Sequence, residues 1–272
     1  MRGMGFTLVE LLIVIAVIAV LMSILVPISY TAREQTRAVK CGSNLKQLSL
    51  LLTTYASDNE TFPYGFDAPT VGTVMPPPRY PGNPMYDLPG RWWFTSIGGG
   101  LKDYTNPKTI FWCPSRNIQE MGSRMNILCG NYGVNRAICK DAPSMIGGEF
   151  VGTPLALYQI RRPSATLLIT DSGYSLISWK GATDANIQFF FENPDREGSF
   201  YVPGLRINKD RILFPGSEDD AMDGRHPNKT VNVGFVDGHV GRVKADDLFV
   251  EEINDNYKNL SPLWLPKQGK AD

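Results

Sequence analysis

From Leu8 to Val26 almost every position is apolar, and the run is interrupted only by Glu10 near its start and Ser23 near its end. A segment with no polar face cannot lean one side on a core, so it predicts a helix that crosses a bilayer. Glu10 conflicts with that reading, because an unpaired carboxylate in hydrocarbon costs roughly 2.5 to 3.5 kcal/mol. Its position in the first turns, facing the positive end of the helix dipole, eases the conflict. Beyond Pro27 the pattern takes on a helical period. Leu45, Leu48, Leu52 and Tyr55 form one stripe, and Arg33, Glu34, Arg37, Lys40 and Lys46 form the other face. The helix is therefore expected to continue in water to about Ser57, with the stripe against a folded domain. Pro27 has no N–H to offer the Ser23 carbonyl, which predicts a kink or loosening there. Gly42-Ser43-Asn44 marks a second weak point where the helix could break.

The rest of the chain is organised differently. Pro63 to Pro89, with Pro76-Pro77-Pro78 inside it, predicts an extended surface loop. The aromatics of Arg91-Trp92-Trp93-Phe94 are read as anchors of a core. Ala165 to Thr170 is a short β-rich run ending in Asp171-Ser172-Gly173, and Ile187–Phe191 and Arg211–Phe214 are weaker strand candidates. The clearest hairpin joins Val231–Val236 to His239–Val243 through Asp237-Gly238, a turn expected to need positive φ at both residues. Together these predict an α+β fold: a long N-terminal helix packed on a small antiparallel sheet with long loops. The chain divides into a leader at 1–5, a transmembrane helix at 6–28, its amphipathic continuation at 29–58, a loop-rich segment at 59–165 and a β-rich part at 166–272.

Composition narrows the function classes. Lys plus Arg equals Asp plus Glu at 27 each in 272 residues, so no basic field exists to collect nucleic acid. Cys41, Cys113, Cys129 and Cys139 lack paired CxxC spacing, and an even number outside the cytosol points to disulfides. Cys129 with Cys139, or Cys113 with Cys129, are locally reachable, and three full pairings stay open. A cleaved secretory signal fits poorly, since the apolar core is too long, Glu10 interrupts it and no A-x-A site follows.

The stretch Gly5-Phe6-Thr7-Leu8-Val9-Glu10-Leu11-Leu12-Ile13-Val14-Ile15 resembles the N-terminal signature of type IV pilins and the pseudopilins of type II secretion. The resemblance implies cleavage by a prepilin peptidase between Gly5 and Phe6 and N-methylation of Phe6. Its new amine would stand four residues ahead of Glu10, so the carboxylate could pair with its own Phe6. The family implies instead that Glu10 pairs with the Phe6 amine of an adjacent subunit, and that Pro27 is a regular feature of the helix. Lys40 to Leu48, Tyr55 to Asp58 with Phe62-Pro63, Phe111-Trp112-Cys113-Pro114-Ser115 and Asn131 to Asn135 are similar to a bacterial pseudopilin-like group with a C-terminal H-X9-DG domain. Gly224-Arg225-His226-Pro227 with Asp237-Gly238 extends that similarity, although ten residues rather than nine separate His226 from Asp237. An added residue in the loop would be harmless, whereas one inside the strand would make a bulge.

No G-x-S-x-G, HExxH or phosphate loop is present, so catalysis is not expected, and no cofactor is predicted. Asp171, His226, Asp237 and His239 are weak metal candidates set against a hydrogen-bonded corner, and Asp219 and Asp220 could add oxygen ligands. Three readings remain. The favoured one is a structural pseudopilin that assembles with its own copies, other pseudopilins and an inner-membrane platform. The alternatives are a membrane-anchored binding protein exported by the prepilin signal and a periplasmic hydrolase on a signal anchor. The resemblance implies a single pass through the bacterial inner membrane, with the N-terminus cytoplasmic and the C-terminal part periplasmic until assembly brings it into a filament or to the surface.

Overall fold

The computed structural model describes residues 7–67, 91–99, 108–115, 132–143, 150–172, 175–182, 226–253 and 256–266. Gly5, Phe6, Cys129, Asp219, Asp220, most of the proline-rich loop and the weaker strand candidates at 187–191 and 211–214 lie outside them.

One helix, α1 (Leu8–Asp58), spans 51 residues, or about 77 Å at the ordinary rise. It starts at a capping box in which Thr7 Oγ1 accepts the Glu10 N–H and Glu10 Oε2 accepts the Thr7 N–H. It runs as one element through Pro27 and through Gly42-Ser43-Asn44, so the expected break at the second site does not occur. Packing overrides the weak local propensity there. Asn232 Nδ2 donates to the Ala38 carbonyl at 3.0 Å, and its side chain lies against Gly42. The buried stripe is Ala38, Cys41, Asn44, Leu45, Leu48, Ser49, Leu52 and Ala56. Leu45, Leu48 and Leu52 are as expected, while Tyr55 is only half-buried and Ala56 takes its place.

The strands are β1 (Phe66–Asp67), β2 (Arg91–Trp92), β3 (Tyr132–Asn135), β4 (Leu167–Asp171), β5 (Leu176–Ile177), β6 (Thr230–Phe235), β7 (Val240–Lys244), β8 (Glu251–Ile253) and β9 (Asn256–Lys258). Five of them form the main sheet in the order β5-β3-β4-β6-β7. It is mixed rather than purely antiparallel, because β3 pairs parallel with β5 while the other neighbours are antiparallel. Strand alternation divides β6 cleanly. Asn232 and Gly234 face α1, whereas Val231 and Val233 enter a second core with Leu248, Phe249 and Trp264. The first core, between helix and sheet, joins Leu45, Leu48 and Leu52 to Trp93, Phe94, Val134 and Ile169. The sheet is thus covered on both faces, and the α+β, pilin-like plan expected from the pattern is present.

Val231–Val236 and His239–Val243 do form the hairpin, but through a different turn from the one expected. Only Gly238 has positive φ, at 83°, and Asp237 does not. The Phe235 N–H donates to the His239 carbonyl and the Gly238 N–H to the Phe235 carbonyl, which makes a three-residue loop with glycine at the left-handed position. The β6–β7 register is unbroken from Thr230 to Gly234. Asn228 and Lys229 take left-handed φ in the loop that follows His226, before β6 begins.

Candidate functional site

Two features of the molecule stand apart from ordinary packing. The first is the half of α1 that covers nothing. Its apolar side chains from Leu8 to Ile28 are exposed, and burial begins at Ala38. Among the described residues this is the one helix long and apolar enough to cross a membrane, by length and composition. An apolar surface of this extent marks a lipid or protein contact. Glu10 lies in its first turn, with both Thr7 contacts on Oε2, at 2.8 Å from the backbone N and 2.7 Å from Oγ1. Oε1 accepts no hydrogen bond among the described residues. Pro27 lies inside the span, and the Thr31 hydroxyl donates to its carbonyl at 3.1 Å.

The second feature is a buried polar cluster where α1 meets the sheet. Four segments remote in the chain supply it: Cys41 from α1, Cys113 from the Cys-Pro-Ser turn, Asp171 from the end of β4 and His226 from the bend before β6. Cys41 Sγ–H donates to Asp171 Oδ1 at 2.7 Å, and Cys113 Sγ stands 3.5 Å from Cys41 Sγ. His226 Nε2 lies 2.9 Å from Asp171 Oδ2, which also accepts the Asn232 N–H at 2.7 Å. All four side chains are buried, and one donor atom from each lies within 4.8 Å of the others. Around them the Tyr132 hydroxyl is 3.4 Å from Cys41 Sγ, Asn44 Nδ2 donates to the Trp112 carbonyl at 3.0 Å, and Ser115 Oγ is 3.2 Å from His226 Nδ1. Burial pushes the Cys41 thiol well above its ordinary range, and the Cys113 contact and the Asp171 charge add to the effect. The Tyr132 phenol is raised mainly by the same burial.

These positions correct two expectations. Cys41 and Cys113 are not joined, since a disulfide needs about 2.05 Å and they stand at 3.5 Å. Cys139 is a free, buried thiol elsewhere in the first core, and the pairings expected for Cys129 lie outside the described residues. The four weak metal candidates also divide. Asp171 and His226 enter the cluster, whereas Asp237 and His239 pair at the exposed hairpin tip, Oδ1 to Nδ1 at 2.5 Å, where the imidazole stacks on Phe235. Cys41, Cys113 and Tyr132 join Asp171 and His226 with no spacing signal to announce it. The only available hint was that each falls in a segment already singled out by resemblance.

Residues 5–26 match the prokaryotic N-terminal methylation motif. Residues 30–143, which include Cys41, Cys113 and Tyr132, match the family described as a protein of unknown function (DUF1559). Neither match reaches His226 or Asp237-Gly238. No curated protein and no solved structure matches the chain.

Proposed function

We propose that this chain, which carries the prokaryotic N-terminal methylation motif at 5–26 and a DUF1559 match at 30–143, is a pseudopilin, a structural subunit of a type II secretion or type IV pilus-like filament. The observation that carries this is the bare apolar half of α1, Leu8 to Ile28, most of which lies within the matched methylation motif at 5–26. In the inner membrane the Leu8–Ile28 surface faces lipid, with the N-terminus cytoplasmic and the domain outside. A prepilin peptidase cuts between Gly5 and Phe6 and methylates Phe6. On assembly at the inner-membrane platform, the same surface packs against the helices of neighbouring copies and other pseudopilins, so the anchor becomes the filament core. The role is structural rather than catalytic.

Glu10 sets the register of that packing. Thr7 holds Oε2 in the capping box, which leaves Oε1 for the Phe6 amine of an adjacent subunit. The pairing offsets the cost of a carboxylate among apolar helices. Mass spectrometry of the mature N-terminus tests the proposal. The expected result is a chain beginning at N-methylated Phe6, dependent on the peptidase. Retained Met1, or a cut well downstream of Phe6, would overturn it.

A further inference from the structure

We propose that Cys41, Cys113, Asp171 and His226 form a structural zinc site that clamps α1 to the sheet. The inference does not depend on the filament reading, because it concerns the domain rather than its anchor.

The donor set is the first argument. Two sulfurs, one imidazole nitrogen and one carboxylate oxygen suit zinc, and they do not suit calcium or magnesium, which take oxygen ligands. The separations are the second. Two thiolates on one tetrahedral zinc stand about 3.8 Å apart, given Zn–S bonds of about 2.3 Å. The 3.5 Å between Cys41 and Cys113 is close to that value and far from a covalent S–S bond. Zinc binding widens the Cys41–Asp171 contact from 2.7 Å by roughly 0.8 Å, a small side-chain adjustment.

The surrounding groups are the third argument. A metal-bound histidine is usually fixed through its other ring nitrogen, and His226 Nδ1 has Ser115 Oγ at 3.2 Å. With hydrogen on Nδ1, the Nε2 lone pair faces Asp171 and the sulfurs. The Asn232 N–H holds Asp171 Oδ2, so Oδ1 is the oxygen turned to Cys41. The Tyr132 hydroxyl reaches Cys41 Sγ and can donate to a thiolate there. Each thiol gives up its proton on binding. Two thiolates, a carboxylate and Zn²⁺ then leave the site with one net negative charge, which those two donors soften. All four positions are filled by protein and all are buried, which is the closed arrangement of a structural site and leaves no place for a reacting water.

The test uses the full-length chain, extracted in detergent under reducing conditions and dialysed against metal-depleted buffer, with elemental analysis as the readout. About one zinc per chain is expected, unchanged in Cys139→Ser and below roughly a tenth of that in Cys113→Ser and His226→Ala. Because the latter two variants could misfold, cobalt(II) loading of the wild type and of Cys113→His gives a second readout. The wild type should show the strong visible bands of a tetrahedral ion and near-ultraviolet thiolate-to-cobalt charge transfer. Cys113→His should keep the visible bands and lose about half the charge transfer. The proposal is overturned if zinc stays equal in wild type and variants, if cobalt gives only the weak spectrum of an oxygen-bound octahedral ion, or if peptide mapping finds Cys41 and Cys113 joined with no metal bound.

Discussion

Glu10 has one observed contact, the capping box with Thr7, and one proposed contact, with the Phe6 amine of an adjacent subunit, and the two can be separated by substitution. Its capping-box role needs only an acceptor, which glutamine retains, whereas pairing with an amine needs the charge. Glu10→Gln should therefore keep the helix start and abolish filament assembly, as judged by sheared-filament yield in a strain lacking the wild type. Normal yield from that variant would rule out the intersubunit ion pair. Thr7→Ala does the reverse, fraying the first turn by about 1 kcal/mol while the carboxylate keeps its charge. The Thr7-x-x-Glu10 box is legible in four letters, although the apolar run and the cleavage motif point first to the helix dipole and to Phe6 as partners of the carboxylate. Asp237 shows a similar mixture. The Asp-Gly pair announced a hairpin correctly, but whether one or both residues take positive φ depends on how the flanking strands close. Desolvation is the largest single influence on the Asp237 carboxyl and raises it, but the His239 backbone N–H and ring and the Lys46 charge together outweigh it and hold the group below its ordinary value. Its stabilising share is accordingly present above pH ~3.9 and is lost as pH falls through the lower folded value. In urea titrations, Asp237→Asn should be slightly less stable than wild type at pH 7 and equal to it at the acid end.

Helix α1 was legible almost from end to end because its two halves use different patterns that each follow a helical rule. What the pattern could not give was the full buried face, since Ala38, Cys41, Asn44 and Ser49 are small or polar and do not register in a stripe of large apolar residues. Small residues are needed there because the helix crosses β6 closely. A Cβ added to Gly234 would stand 2.2 Å from Ser49 Oγ and 2.9 Å from Ile169 Cγ2, and the β-branched isoleucine cannot easily move away. Gly234→Ala should cost about 1 to 3 kcal/mol in denaturant unfolding of the domain. Ser49 Oγ is buried without a hydrogen-bond partner among the described residues, so Ser49→Ala by itself should be close to neutral. The double variant should recover part of the Gly234→Ala loss, and strict additivity in that cycle would mean that the two positions do not meet.

At the scale of the molecule, the meeting of Cys41, Cys113, Asp171 and His226 lies beyond any spacing rule. The helix, a turn, a strand end and a bend must each be placed before the four groups become neighbours. An even number of cysteines in an oxidising compartment favours disulfides, but a buried pair such as Cys41 and Cys113 facing a carboxylate and an imidazole can hold an ion instead. Zinc there would do what a single core cannot. The helix–sheet core and the second core lie on opposite faces of the sheet; Phe111 and Cys113 seat the Cys113 turn in the first core, whereas His226 belongs to neither. The ion therefore fastens the end of the central strand β4, the Cys113 turn and the His226 bend to the one helix that continues into the membrane. Chelation should loosen that junction and spare the rest. Hydrogen exchange on the detergent-solubilised chain, with and without a strong chelator, should show faster exchange at 38–49, 132–135, 167–171 and 226–235. No change is expected along 8–28, where the helix touches nothing in the domain. Exchange that rises uniformly would mean global unfolding rather than release of a clamp. Unchanged exchange at 226–235 would mean that His226 is held by hydrogen bonds alone.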